Sequence, residues 1–325
     1  MFLNPAYDPA KVPPPSRDAR EFHLGLPGYA PTPIRMLSEH VGVKDESGRL
    51  GLPAFKILGA SWAAERALRA DPGVHTLVAA SAGNHGRAVA RVARMRGLRA
   101  RIFLPERSLP ARREAIESEG AEVIVGGTYE QCVARAAAEG ERPGCLEVAD
   151  VGASGPAEWV IDGYATLFDE ITEPWDAVLV PIGVGSLGAA AARWGASVGT
   201  PVIGVEPVTA ACLTAALQAG KPVEIVNPGT TMAGLDCAIV SEAAWSSLLP
   251  GIYGTITVTD EQTAAAMRDL AAAGLAIGES GAAPLAALRA LMTEDDGAAL
   301  RAAAGLDEAR ARVLLVATEG VTDPD

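Results

Sequence analysis

Short runs of consecutive apolar residues alternate along this chain with longer stretches in which apolar residues recur every three or four positions. The first pattern suits strands buried on both faces, and the second suits helices with one buried stripe. The first 50 residues are proline-rich and irregular, with a short helical pattern over 34–40. A rhythm then sets in. Helices are predicted over 61–69, 84–96, 111–119 and 129–139, interleaved with strands over 75–80, 101–104, 121–125 and 145–148. The rhythm restarts after Gly163, with strands over 177–182 and 202–205 and helices over 187–196 and 210–219. A strand over 255–258, helices over 261–273 and 282–292 and a last strand over 313–317 follow. Strands alternating with helices in this way predict βαβ units and parallel sheets.

The reading is therefore an α/β protein of two lobes with a cleft between them. One lobe is expected from residues 1–60 plus 164–325, and a smaller one from 61–163. A length of 325 residues with 49% hydrophobic content is enough for two such cores. A net charge of −13 argues against a nucleic-acid partner, which would need clustered Lys and Arg. Cys132, Cys145, Cys212 and Cys237 form no CxxC pair and no zinc-spaced cluster, so no metal is expected and the thiols read as reduced. The N-terminus lacks the basic start and apolar run of a signal peptide. The most apolar stretch, 177–192, is interrupted by Pro181 and several glycines and does not read as a membrane span. A cytoplasmic location is expected.

Two glycine-containing segments stand where a strand gives way to a helix. Gly183-Val184-Gly185-Ser186-Leu187-Gly188 matches GxGxxG, and Glu206 follows at about the spacing of a ribose-binding acid. Alone, this supports a nicotinamide-dependent oxidoreductase. The physics is more general: glycines admit an anion close to the backbone, and a helix N-terminus offers N–H groups and a positive dipole end. Another phosphate, or a purely structural turn, would also satisfy it. The segment lies past mid-chain, whereas the dinucleotide fingerprint usually follows the first strand of its domain. The other segment, Ser81-Ala82-Gly83-Asn84-His85-Gly86, could hold a carboxylate on its backbone N–H groups, and Asn84 could hydrogen-bond a ligand hydroxyl. A helix cap is the simpler use of that asparagine. Lys56 stands among apolar neighbours in Phe55-Lys56-Ile57-Leu58. Such surroundings favour the neutral amine, the form that Schiff-base chemistry requires. A lysine snorkelling from a helix start would look the same.

Taken together, Lys56, the Ser81–Gly86 segment and the later glycine loop resemble fold-type-II pyridoxal-phosphate (PLP) enzymes, the superfamily of threonine dehydratases and cysteine synthases. The resemblance covers the chain from about Phe22 onward. It implies that Lys56 holds PLP as a Schiff base and that Asn84 contacts the ring hydroxyl. It further implies that Gly183, Val184, Gly185, Ser186 and Leu187 hold the phosphate and that Thr318 faces the pyridine nitrogen. Ser81, Ala82, Gly83, Asn84 and His85 would hold the substrate carboxylate. Four stretches resemble diaminopropionate ammonia-lyase in particular: Val43–Ser47 leading to Ala54-Phe55-Lys56, then Met232–Leu235, Gly278–Ala282 and Thr318–Pro324.

That branch implies a β-elimination. The Lys56 amine removes the α-proton of a small amino acid, and the products are a 2-oxo acid and ammonia. Asp150, after the strand over 145–148, resembles an acid of the lyases and could protonate the departing amine, although a turn cap is its other reading. Ala82 stands where the ammonia-lyases carry an aspartate that takes the α-proton of the D-isomer. Alanine cannot move a proton, which argues against a D-substrate. Cys212 stands where metal-dependent relatives place an acid, which argues against a cation there. A serine/threonine dehydratase and a β-replacement synthase are the related alternatives. A non-catalytic amino-acid sensor of this fold and the nicotinamide enzyme are more distant ones. The family implies a homodimer.

Overall fold

A computed structural model describes residues 1–149, 151–306 and 310–321. The chain opens with β1 (Phe2–Leu3), α1 (Asp18–Leu24) and the antiparallel pair β2 (Ile34–Met36) and β3 (Val41–Asp45). Next come α2 (Lys56–Ala70), β4 (Thr76–Ala80), α3 (Asn84–Met95), β5 (Arg99–Leu104), α4 (Pro110–Glu117), β6 (Glu122–Val125), α5 (Tyr129–Gly140) and β7 (Cys145–Glu147). Helix α6 (Pro156–Asp169) leads to β8 (Ala177–Pro181), α7 (Ser186–Val198), β9 (Val202–Pro207), α8 (Cys212–Ala219) and α9 (Glu242–Gly251). The chain continues through β10 (Ile252–Val258), α10 (Asp260–Ala272), α11 (Glu279–Thr293), α12 (Ala298–Ala303) and β11 (Val313–Ala317).

Two sheets result. The smaller, in the order β6-β5-β4-β7, is parallel throughout. The larger, β1-β10-β9-β8-β11-β3-β2, is parallel at its centre and antiparallel only at its two edges. Every residue of β8, β9 and β11 is buried. Strands covered by helices on both faces read as unbroken apolar runs, which is why the sequence pattern marked them.

The structure corrects the pattern in three places. Residues 34–36 form a strand, not the start of a helix, because Ile34, Arg35 and Met36 pair with Lys44, Val43 and Gly42 of β3. Helix α2 begins at Lys56, five residues before the predicted start at Ser61. Gly163, where the rhythm restarts, lies inside α6.

Gly163 has a packing reason. A Cβ there would lie 2.6 Å from the Leu58 carbonyl oxygen, and one at Gly59 would lie 2.6 Å from the Tyr164 ring. Helices α2 and α6 therefore cross with their backbones in near contact, and larger residues at either point would force them apart.

His23 of α1 fills the angle between these helices. Its Nδ1 lies 2.7 Å from Thr166 Oγ1, and its Nε2 lies 3.0 Å from the Leu58 carbonyl and 3.1 Å from Ser61 Oγ. Burial lowers its pKa from the ordinary 6.5 to about 4. The unfolded chain takes up this proton below pH 6.5 while the folded chain does not. The contribution is therefore complete above pH 6.5 and is lost as the pH falls toward 4, a change on the order of 3 kcal/mol. Urea titrations between pH 7 and pH 4 should show this decline in the wild type and a flatter profile in His23→Gln. Equal slopes in the two would remove His23 as the cause.

Candidate active site

Both glycine segments leave the carboxyl ends of parallel strands, where ligands of α/β proteins gather. After β4, the chain turns through Ser81, Ala82 and Gly83 into α3. The turn is tight: Gly83 N donates to Ser81 Oγ at 3.2 Å, and a Cβ on Gly86 would collide with the Ser81 carbonyl. No side chain caps α3, so Asn84 is its first residue and not its cap. The buried His85 ring is turned inward, with Nε2 2.6 Å from the Val148 carbonyl beyond β7. A carboxylate could use only the backbone N–H of this residue. Asp150 lies outside the described residues.

After β8, Gly183-Val184-Gly185 turns into α7. A Cβ on Gly183 would lie 2.6 Å from the Gly234 carbonyl oxygen, so only glycine lets these two segments meet. Gly185 has φ +96°, a left-handed conformation that glycine adopts without strain. The Val184 carbonyl accepts from Ser241 N at 2.8 Å, fixing the loop from outside. The first turn of α7 has no side-chain cap. Its N–H groups and dipole make a seat for a phosphate. The Leu187 side chain is buried in the core and contributes to that seat only through its backbone.

The third element is the junction of α2 with the end of β11. Phe55 N donates to the Thr318 carbonyl at 3.4 Å, Gly320 N donates to the Pro53 carbonyl at 2.9 Å, and Ala54 bridges Glu319. Lys56 Nζ lies 5.4 Å from the centroid of the Phe55 ring and 5.9 Å from that of Tyr164.

Glu319 was missed in the sequence reading. Asn84 Nδ2 donates to its Oε2 at 2.6 Å, and Ser280 N donates to its Oε1 at 3.2 Å. Burial pushes this carboxyl above its ordinary value; hydrogen bonds from Ser280 and the charge of Lys56 pull the other way. The available signal is a carboxylate two residues past the five apolar residues of β11, at a strand's carboxyl end.

Glu206 ends up elsewhere. It is wholly buried, and its oxygens accept from Leu213 N at 2.6 Å, Thr214 N at 2.9 Å and Thr214 Oγ1 at 2.6 Å. It caps α8, and burial raises its pKa to about 7. A carboxylate so enclosed cannot face a ribose, which removes the main support for a dinucleotide. A surface groove of about 940 Å³ at the far end of α3 is lined by Arg69, Arg91, Arg94 and Arg96. Each of these is already paired with Glu65 or Glu119.

An amine at one helix start, an amide at a second and an uncapped, glycine-lined third are the parts a PLP site needs: a Schiff-base partner, a hydroxyl partner and a phosphate seat. The donor set fits that cofactor. The chain belongs to the pyridoxal-phosphate dependent enzyme family, whose model matches residues 26–319. Within the family it is similar to diaminopropionate ammonia-lyase of Escherichia coli (strain K12), with 32% identity over 94% of this chain and 88% of the relative. The crystal structure of the E. coli lyase with an aminoacrylate–PLP azomethine reaction intermediate superposes with a TM-score of 0.89 at 30% identity. That match covers 99% of this chain and 93% of that one. A biosynthetic L-threonine dehydratase of Pasteurella multocida is 31% identical over 79% of this chain and 51% of its own length.

Proposed function

We propose that this PLP-dependent enzyme is an ammonia-lyase that acts on 2,3-diaminopropionate and forms pyruvate and ammonia. The observation that carries the reading is the meeting of Lys56, Asn84 and the Thr318–Glu319 segment at the ends of the two sheets. The likeness to the ammonia-lyases supports it over most of the chain. Bound here, PLP supplies the electron sink that acidifies the substrate α-carbon.

The protein's own groups do the rest. Lys56 would hold the cofactor, and its amine would accept the α-proton. Gly183–Leu187, with the first turn of α7, would hold the phosphate. Asn84 would contact the ring hydroxyl, and Thr318 the ring nitrogen. Backbone N–H groups of Ser81–His85 hold the substrate carboxylate. Asp150 supplies a proton to the departing amine. Ala82 cannot act as a base, which argues against the D-isomer as substrate.

The same reading gives a homodimer in the cytoplasm, with lobes formed by 1–60 plus 164–325 and by 61–163. Among the described residues, no helix is long and apolar enough to cross a membrane. The test is a visible spectrum before and after L-2,3-diaminopropionate, with ammonia and pyruvate followed in parallel. A shifting band with both products supports the reading. A shifting band with no ammonia discards the lyase. Release of ammonia from L-serine or L-threonine alone would make the enzyme a dehydratase.

A further inference from the structure

Three of the four stretches that set this chain in the ammonia-lyase branch, with the end of the fourth, converge on one carboxylate. Glu319 bridges Ala54, two residues before Lys56. Its Oε1 accepts from Ser280 N, in the first turn of α11. Ser280 Oγ in turn accepts from Gly234 N at 3.0 Å, and the Gly234 carbonyl is the atom that a Cβ on Gly183 would strike. On its other side, Glu319 Oε2 takes the Asn84 amide at 2.6 Å. The contacts thus run from the phosphate seat through Gly234, Ser280 and Glu319 to Asn84. They pass from α11, beside the larger sheet, to α3, beside the smaller one. The side chain is 8% exposed, and so short a bond to a buried carboxylate fixes the orientation of the amide.

We propose that Glu319 is a positioning residue: it holds the Asn84 amide against the larger lobe and so sets the face that Asn84 offers to the cofactor. The inference rests on the PLP reading of the site. It assigns Glu319 no proton transfer and no contact with substrate.

Glu319→Gln is the informative change. A carboxylate accepts at both oxygens, whereas a carboxamide accepts at one end and donates at the other. Facing Asn84 and Ser280 N together, glutamine must lose one of the two bonds. PLP titrations of dialysed protein, read by the visible band, are expected to give a dissociation constant about tenfold higher, the size of one lost charge-assisted hydrogen bond. The band should also move, as it should in Asn84→Ala. The double variant should bind PLP within about twofold of Asn84→Ala alone, because both changes break one coupled unit.

An unchanged constant and band in a folded Glu319→Gln protein would overturn the proposal, as would strictly additive effects. If that variant does not accumulate in folded form, Ser280→Ala decides. It removes the hydroxyl beside the carboxylate and should weaken PLP binding by about two- to fivefold; no change would overturn the proposal. Wild-type protein that binds no PLP would remove the parent reading and this inference together. The titration uses no substrate, so wild type that binds PLP without releasing ammonia would count against the lyase alone.

Discussion

Lys56→Ala is expected to reduce ammonia release by at least about 10²–10⁴-fold, the contribution of one positioned proton-transfer group. It should also remove the visible band of covalently held PLP. Both losses follow from the proposed roles of a single amine that would hold the cofactor and take the α-proton. The fold offers little compensation. The side chain rises from the first residue of α2 with its amine near the Phe55 and Tyr164 rings. Lys56→Arg should fail nearly as badly, because a guanidinium keeps its proton and forms no Schiff base. Far-UV dichroism and thermal midpoints would establish that both variants are folded. Ammonia release at the wild-type rate from folded Lys56→Ala would end the assignment.

The largest effect on stability is expected at Arg49. Its side chain is fully buried and donates to two carboxylates. Nε and Nη2 reach Glu46 at 2.7 Å, and Nη1 and Nη2 reach Glu170 at 2.7 and 2.8 Å. Lys44 Nζ, at 2.5 Å, Tyr29 OH, at 2.6 Å, and Thr32 N, at 3.1 Å, also donate to Glu170. Arg49→Met leaves two acids in an apolar interior with a single cation and should cost about 3–5 kcal/mol. Against a total of about 5–15 kcal/mol, that brings the protein near its unfolding threshold. Urea midpoints at constant m-value would measure the loss, and a shift below about 1 kcal/mol would refute the account. Neutralising Glu46 and Glu170 together with Arg49 should recover part of it, because the penalty lies in unpaired charge.

The same cluster sets a second acid limit. Burial alone would raise the Glu170 carboxyl, but hydrogen bonds and charge from Arg49 and Lys44 outweigh it and bring the pKa from 4.5 to about 2. This stabilisation is present above about pH 4.5 and is lost as the pH falls toward 2. It lies below the window in which His23 acts. The cluster also steadies the approach to Lys56. Arg49 precedes Leu50, which holds φ +52° and whose carbonyl accepts from Arg91 Nη1 at 3.2 Å.

How far the sequence carried the structure depends on how each element is buried. β8, β9 and β11 could be read because burial on both faces leaves an unbroken apolar run. α6 was legible in principle, because Ala157, Val160, Ile161, Tyr164, Leu167 and Phe168 recur at the three- and four-residue spacing of one buried face; Gly163 inside it reads as a break, and the burial of Ala165 and Thr166 widens the stripe. β2 misled because three residues carry no period of their own; β3 imposes the strand. Among the site segments, Lys56 and the two glycine turns were legible from local chemistry. Glu319 was passed over because its meaning lies in Asn84, 235 residues away, and no spacing rule spans that distance. Glu206 carried the reverse error: the right spacing for a ribose acid, but a side chain that turns from β9 onto the start of α8.

The order of strands in the larger sheet bears on how the chain reaches its native state. The smaller sheet comes from one stretch of chain, 76–147, and its contacts can close as soon as that stretch leaves the ribosome. The hairpin of β2 and β3 has no such neighbour. Among the described residues it joins the larger sheet only through β11, which follows all the other described strands in the chain and lies between β3 and β8. Contacts of such long separation form late and slowly. Until they form, the segment from β3 to α2 lacks the Glu319 bridge and the sheet that anchors it. Lys56 is thus made early and tied to the larger sheet late, and a nascent chain stalled before Val313 would present that lysine at the start of α2 without the Glu319 bridge.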